Sequence, residues 1–339
     1  MRSLVAWCTE ATSVINIIVC CVALFMIAPS SIHCSIDVDR TQFLIDQLLN
    51  QSISCDHYKR AFPIQLTHRY LAIGPIHGEN SPTNLSDVAY CQIRKNMGSQ
   101  LHSLFARRAY AHLYENGVDI AGSGVFAWPA ILALNAFEQH REPINVSHVV
   151  AIIRDPISRF VSAWLHVCIV RMYERPYMPT SSRCLGCPTS DLCCFIRVLT
   201  EALLFGRESL STTVTEREHT DIGLHLWPQA CHCDLLERAR MDRHKNASVE
   251  YLDYTNSTRI VRALRTRYWV DARLLDSGYG VNGNEPFLSS PTVHQTSQYK
   301  QNVKAILRAH PELVHMIERV YARDRELHDI MMSSQSLID

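Results

Sequence analysis

The strongest constraint on the fold is the stretch Asn145–Val170, NVSHVVAIIRDPISRFVSAWLHVCIV. Val149, Val150, Ala151, Ile152 and Ile153 form an uncharged, largely β-branched run, the pattern of a strand buried on both faces. At Arg154-Asp155-Pro156 that pattern stops. Proline cannot donate to a central ladder but suits the first position of a helix, and aspartate just ahead of it is a good N-cap. From there Ile157, Phe160, Val161, Trp164, Leu165 and Cys168 recur at helical spacing. The stretch therefore predicts strand, sharp turn, helix. A turn at the carboxyl end of a strand is where open α/β sheets bind phosphorylated ligands, and Arg154, Arg159 and Ser162 place two cations and a hydroxyl around it. An N-capped helix with ordinary surface arginines would carry the same pattern.

The motif R-D-P-x-x-R-x-x-S behind an apolar strand resembles the 3′-phosphate-binding segment of the Golgi carbohydrate sulfotransferases, whose co-substrate is 3′-phosphoadenylyl sulfate. The resemblance implies that Arg154 and Ser162 hold the 3′-phosphate of that nucleotide and that Arg159 supports the turn or the ligand. It also implies an α/β fold with a central, mainly parallel sheet flanked by helices, related in architecture to the P-loop kinases, and a reaction that needs no metal.

Upstream, Val88–Ile93 reads as a short strand, followed by Arg94-Lys95-Asn96-Met97-Gly98-Ser99 and a helix over Gln100–Glu115. An anionic phosphosulfate calls for backbone N–H groups, a small residue and a lysine at a helix N-terminus. Arg94, Lys95, Asn96, Gly98 and Ser99 supply that arrangement, which is similar to the family's 5′-phosphosulfate loop. By resemblance, Lys95 would sit on the bridging oxygen and Ser99 on the 5′-phosphate. The chain departs from the family pattern in carrying Arg94 where proline is usual. G-x-x-x-x-G-K-[ST] is absent, so this is not the phosphate loop of a nucleoside triphosphatase.

No Asp, Glu, Lys or Arg occurs from Ala11 to Ile36, and Val14–Ala28 is apolar almost throughout. The segment reads as a signal anchor or a cleaved signal peptide. The anchor is preferred, since the resembling family is single-pass type II with a lumenal catalytic domain in the Golgi. Residues 1–10 would then be a cytosolic tail, 37–84 a lumenal stem with an amphipathic helix at Thr41–Leu49, 85–332 the sulfotransferase domain and 333–339 a tail. Sequons at Asn50, Asn84, Asn246 and Asn256 fit a lumenal body; a further one at Asn145 abuts the buried strand. Ten of the thirteen cysteines lie beyond the apolar segment, and an even number in an oxidising compartment points to disulfides. Cys184, Cys187, Cys193, Cys194, Cys231 and Cys233 are the clustered candidates. The C-x-x-C at Cys184 and Cys187, with Cys231 and Cys233, would also fit a zinc site, although such a thiolate set needs a reducing compartment.

Phe195–Phe205 reads as a helix, Gly206–Thr220 as a polar connection, and His225-Leu226-Trp227-Pro228-Gln229 as H-x-x-P-Q, which resembles a substrate-side loop of the same family. Sulfuryl transfer requires a base near the acceptor hydroxyl, and a histidine is suited to that. His225 is the first choice, although any one of seventeen histidines is readily structural. Gln229 would hydrogen-bond the sugar or the nucleotide. After a strand at Val249–Leu252, Ser257 or Thr258 caps a helix whose Arg259 and Arg262 form either a solvated face or a patch for an anionic polysaccharide. Helices follow at Gln298–Ala309 and from Pro311 to about Ile330.

With 33 basic and 33 acidic residues, the chain has no global field. Nucleic acid is therefore not an expected partner, and an anionic glycan would have to be met by a local patch. The expected function is transfer of a sulfuryl group to a hydroxyl of a glycan, chiefly a chondroitin-type glycosaminoglycan; a homodimer is left open. The alternative is a noncatalytic lumenal protein that keeps the fold and binds glycans or a partner enzyme.

Overall fold

A computed structural model of the chain describes residues 32–62, 70–72, 88–91, 93, 148–170, 183–210, 214, 216–242, 249–256, 259–260, 262–263 and 297–335. The centre is a four-stranded sheet built from β1 (Tyr70–Ala72), β2 (Val88–Cys91), β3 (His148–Ile153) and, after two short strands outside it, β6 (Val249–Asp253), in the order β1-β2-β3-β6. The β1 strand is antiparallel to β2 at the edge, and β2, β3 and β6 are parallel. This is the mainly parallel α/β sheet expected from the sequence. Buried Val149, Ala151 and Ile153 alternate with Val150 and Ile152, also buried, as a strand with both faces covered requires.

Nine α-helices accompany the sheet among the described residues. They are α1 (Val38–Asn50), α2 (Cys55–Ala61), α3 (Pro156–Trp164), α4 (Leu192–Phe205), α5 (Glu216–Leu226), α6 (Leu235–Asp242), α7 (Ser297–Ala309), α8 (Pro311–Val320) and α9 (Ala322–Gln335). A π-helical turn, Leu165–Val170, continues α3. The strand-turn-helix at residues 148–164 stands as expected: Pro156 is in the first turn of α3, and the Asp155 carboxylate accepts from the Ser158 N–H at 2.8 Å.

Three boundaries differ from the sequence reading. The last third of the polar connection Gly206–Thr220 is the start of α5, a helix whose charged first turn hides its period. The final helix breaks at Tyr321, whose backbone leaves helical geometry (φ −103°, ψ 29°) while its hydroxyl donates to Leu226 O at 2.8 Å. The cap ahead of Arg259 is Asn256, whose Oδ1 accepts from Arg259 N at 3.0 Å.

Apolar side chains form two clusters. One joins Leu44, Leu48, Tyr58 and Phe62 to Phe160, Trp164, Phe195, Trp227 and Met316, a helical core built from α1–α5, α7 and α8. The other joins Cys91 and the β3 residues to Leu235, Leu236, Leu327 and Met331, packing α6 and α9 on the sheet. Thus α1 and α2, inside the 37–84 segment read as a stem, are packed into the body. All ten cysteines beyond the apolar segment are paired, as Cys34–Cys193, Cys55–Cys231, Cys91–Cys233, Cys168–Cys184 and Cys187–Cys194. Cys184 and Cys187 face each other in the hairpin of β4 (Arg183–Cys184) and β5 (Cys187–Pro188), yet each is bonded elsewhere. Their sulfurs are therefore committed to disulfides rather than to a thiolate set. Asn50 and Asn256 are exposed; Asn84, Asn145 and Asn246 lie outside the described residues, as does the apolar segment up to residue 31. Among the described residues no helix is long and apolar enough to cross a membrane.

Candidate functional site

The β3 ladder ends at Ile153, whose carbonyl accepts from Tyr254 N at 2.9 Å. The next peptide groups belong to the turn and need other partners, because buried backbone polar groups left unpaired are costly. Gln229 supplies them. Its Oε1 accepts from Arg154 N at 2.9 Å and its Nε2 donates to Arg154 O at 2.7 Å. One carboxamide, with one acceptor and one donor, thus takes the place of a neighbouring strand's peptide group.

Gln229 is in turn held by Asp324 of α9. The Asp324 carboxylate accepts from Gln229 N at 3.0 Å, Ala230 N at 2.8 Å and, at 3.5 Å, Gln229 Nε2. Opposite it stands Arg159 of α3, with Nη1 4.0 Å from Asp324 Oδ2. Arg159 Nη2 donates to Trp227 O at 2.6 Å and His225 O at 3.3 Å. Arg159 is 1% exposed and Gln229 and Asp324 are 0% exposed; charges so buried persist only when paired and hydrogen-bonded. Burial pushes the Asp324 carboxyl above its ordinary range, while Arg159 and the N–H donors of Ala230 and Gln229 pull it back.

In front of this frame lies a cationic surface. The Arg154 guanidinium is half-buried over the Tyr254 ring, 4.4 Å from its centroid. Burial lowers its affinity for its proton; Tyr254 opposes that shift and Arg159 adds to it. Lys300, half-buried on α7, is also shifted down, first by burial and then by Arg154 and Lys304. The charges acting on Lys300, Arg154 and Lys304, are both positive, so an anion beside them is electrostatically favoured. With the N-terminus of α3 beside it, the turn has the chemistry of a phosphate site.

The sequence candidates divide into three groups. Arg154, Arg159, His225 and Gln229 are assembled around the turn, and Ser162 is half-buried one turn further along α3 than Arg159. Within that group, Arg159 is spent on carbonyls and Asp324, and the Gln229 carboxamide on Arg154 and Asp324. The His225 ring, 3% exposed, lies 4.9 Å from that of His166 in the π-turn. Second, Arg94, Lys95, Asn96, Gly98 and Ser99 lie outside the described residues. The strand leading to them, β2, is parallel to β3 and ends at the same end of the sheet; its Cys91 is bonded to Cys233, four residues beyond Gln229. Third, half-buried Arg259 and exposed Arg262 follow β6 at that same end.

Tyr254, Lys300 and Asp324 were missed. Tyr254 directly follows a parallel strand, so the strand-end rule applied to Arg154 would have found it. In the sequence Asp324 stands out only as an acid three and seven residues ahead of the apolar Leu327 and Met331. Nothing in the sequence separates Lys300 from Lys304 on the same helix. Among the described residues no cluster of side chains could hold a metal ion.

Compared with protein-family models, the chain matches the one described as the sulfotransferase family over residues 83–329. No curated protein and no solved structure matches it.

Proposed function

The chain belongs to the sulfotransferase family, and on that premise we propose that it transfers a sulfuryl group from 3′-phosphoadenylyl sulfate to a hydroxyl of a glycan, a chondroitin-type glycosaminoglycan being the favoured acceptor. The observation that carries the reading is the geometry of the turn at the carboxyl end of β3, where the Arg154 guanidinium lies 4.4 Å over the Tyr254 ring beside the N-terminus of α3. A dianionic 3′-phosphate would be met by Arg154 and Lys300, and the Ser162 hydroxyl adds a neutral donor from α3, the helix that follows the turn. The acceptor oxygen attacks sulfur in line, the bond from sulfur to the bridging oxygen breaks, and Lys95 with loop N–H groups stabilises the charge that builds on the departing bisphosphate. His225 takes the hydroxyl proton, beside the half-buried His166, whose ring centroid is 4.9 Å away. Arg259 and Arg262 would meet the acceptor's own anionic groups. The five disulfides support folding in an oxidising lumen, with the apolar segment as a Golgi signal anchor that ends before Ile32 and Cys34, which are packed and bonded into the body.

Thermal shift of the purified protein with adenosine 3′,5′-bisphosphate, against adenosine 5′-phosphate, tests the donor. Stabilisation that requires the 3′-phosphate is the expected result, followed by transfer of labelled sulfate onto glycans. No shift with either nucleotide would overturn the donor assignment. Binding without turnover on any glycan would favour a noncatalytic protein of the same fold.

A further inference from the structure

Gln229 is the one sequence candidate whose structural position argues for a different task. Its side chain is completely buried and reaches the backbone, not the guanidinium, of Arg154. Its own N–H and that of Ala230 are fixed by a carboxylate from the other end of the chain. The segment that bears it is stapled twice just beyond it: Cys231 is bonded to Cys55 of α2 and Cys233 to Cys91 of β2. Just beyond, Cys233 and Asp234 hold φ values of 51° and 53°. Two successive non-glycine residues in the left-handed region are unfavourable and persist only where the surroundings impose them. A rigidly anchored carboxamide thus fixes the peptide planes on either side of Arg154, and with them the direction in which its side chain leaves the sheet.

We propose that Gln229, held by Asp324, is a positioning residue for the anion site: it does not touch the ligand but aims Arg154 at the 3′-phosphate. This rests on the reading that Arg154 binds that phosphate. Sites perform when their supporting shell locks the contacting side chain, and outer-shell partners typically change affinity by about 10–100-fold.

The test compares full-chain variants for binding of adenosine 3′,5′-bisphosphate and adenosine 5′-phosphate, the ratio of the two dissociation constants measuring 3′-phosphate discrimination. Gln229→Met keeps the volume but removes both hydrogen bonds to the Arg154 backbone, and should cut the ratio by about 10-fold or more. Leu313→Ala, in the helical core away from the turn, should lower thermal stability and leave the ratio within about twofold, since a packing defect costs stability without redirecting Arg154. Arg154→Ala separates the two levels. If it preserves discrimination, the donor reading itself fails; if it abolishes discrimination while Gln229→Met preserves it, the reading stands and the positioning role is overturned. Should Gln229→Met not fold, amide exchange in the wild-type protein decides. An Arg154 N–H protected before ligand is added supports the clamp, and one exchanging at free-loop rates overturns it.

Discussion

At the residue scale, burial disfavours the charged forms of both Arg154 and Lys300, and the Arg154 charge adds to that at Lys300. Replacing Arg154 by Ala removes a charged donor, and its loss should weaken bisphosphate binding by roughly 10–100-fold, the 1.5–3 kcal/mol typical of charged hydrogen bonds. Circular dichroism should be unchanged, because the frame uses the Arg154 backbone and not its side chain. Lys300 gives a pH signature. Burial, Arg154 and Lys304 hold its ammonium below the ordinary value of 10.5, and a bound phosphate would hold that proton more tightly. Affinity should therefore be complete below the lowered value in the free protein and fall as pH rises through it, by up to about tenfold per unit for one proton. The phosphate itself, with a second pKa near 6, is already dianionic above about pH 8. Calorimetric titration across the alkaline range checks this; Lys300→Arg, charged throughout, should flatten the profile, and a flat wild-type profile would remove Lys300 from the site. Arg154 was legible because its strand, turn and cap are local. Lys300 and Asp324 were not: each reaches the turn through helix packing across more than a hundred residues, and no local pattern encodes that.

At the element scale, the strand-turn-helix was readable because each signal in it, β-branched run, capping Asp155 and Pro156, acts within a few residues. The ends of helices set by distant partners were not readable. Tyr321 breaks the last helix because its hydroxyl and Asp324 three residues later both serve the Leu226–Ala230 segment. That break places α9 on the sheet while α8 stays in the helical core. Asp324→Asn, which leaves the Arg159 charge buried without its counterion, should cost about 3–5 kcal/mol by urea denaturation. The staples should rank by the loops they close. Cys91 and Cys233 are 142 residues apart and Cys187 and Cys194 only 7. In the chain-entropy treatment, Ser substitution of the first pair should cost about 4–5 kcal/mol and of the second about 2–3 kcal/mol. Equal losses for the two pairs would contradict that ranking.

At the scale of the whole molecule, the site sits on the seam between the helical core and the sheet cluster, and α1, α2 and α8 together build part of the helical side of it. Arg319 of α8 donates through Nη2 to Leu48 O at 3.2 Å and Leu49 O at 3.4 Å, satisfying carbonyls that the last turn of α1 leaves open. Tyr58 of α2 packs against Trp227 and Tyr321, with ring centroids 5.9 and 6.0 Å away. Cys34 and Cys55 are bonded to Cys193 and Cys231. The residues before 83, where the family match starts, therefore include part of the core of the described body. A secreted fragment beginning at residue 83 loses Leu44, Leu48, Ile53, Tyr58 and Phe62, each no more than 1% exposed. It also leaves two thiols without partners. Large buried apolar side chains contribute about 1.5–3 kcal/mol each, and a domain's whole stability is about 5–15 kcal/mol, so that fragment should not fold. A fragment beginning at residue 32 should unfold cooperatively on heating and bind adenosine 3′,5′-bisphosphate. Cooperative unfolding of the residue-83 fragment, with full nucleotide affinity, would instead return the first two helices to the role of a stem.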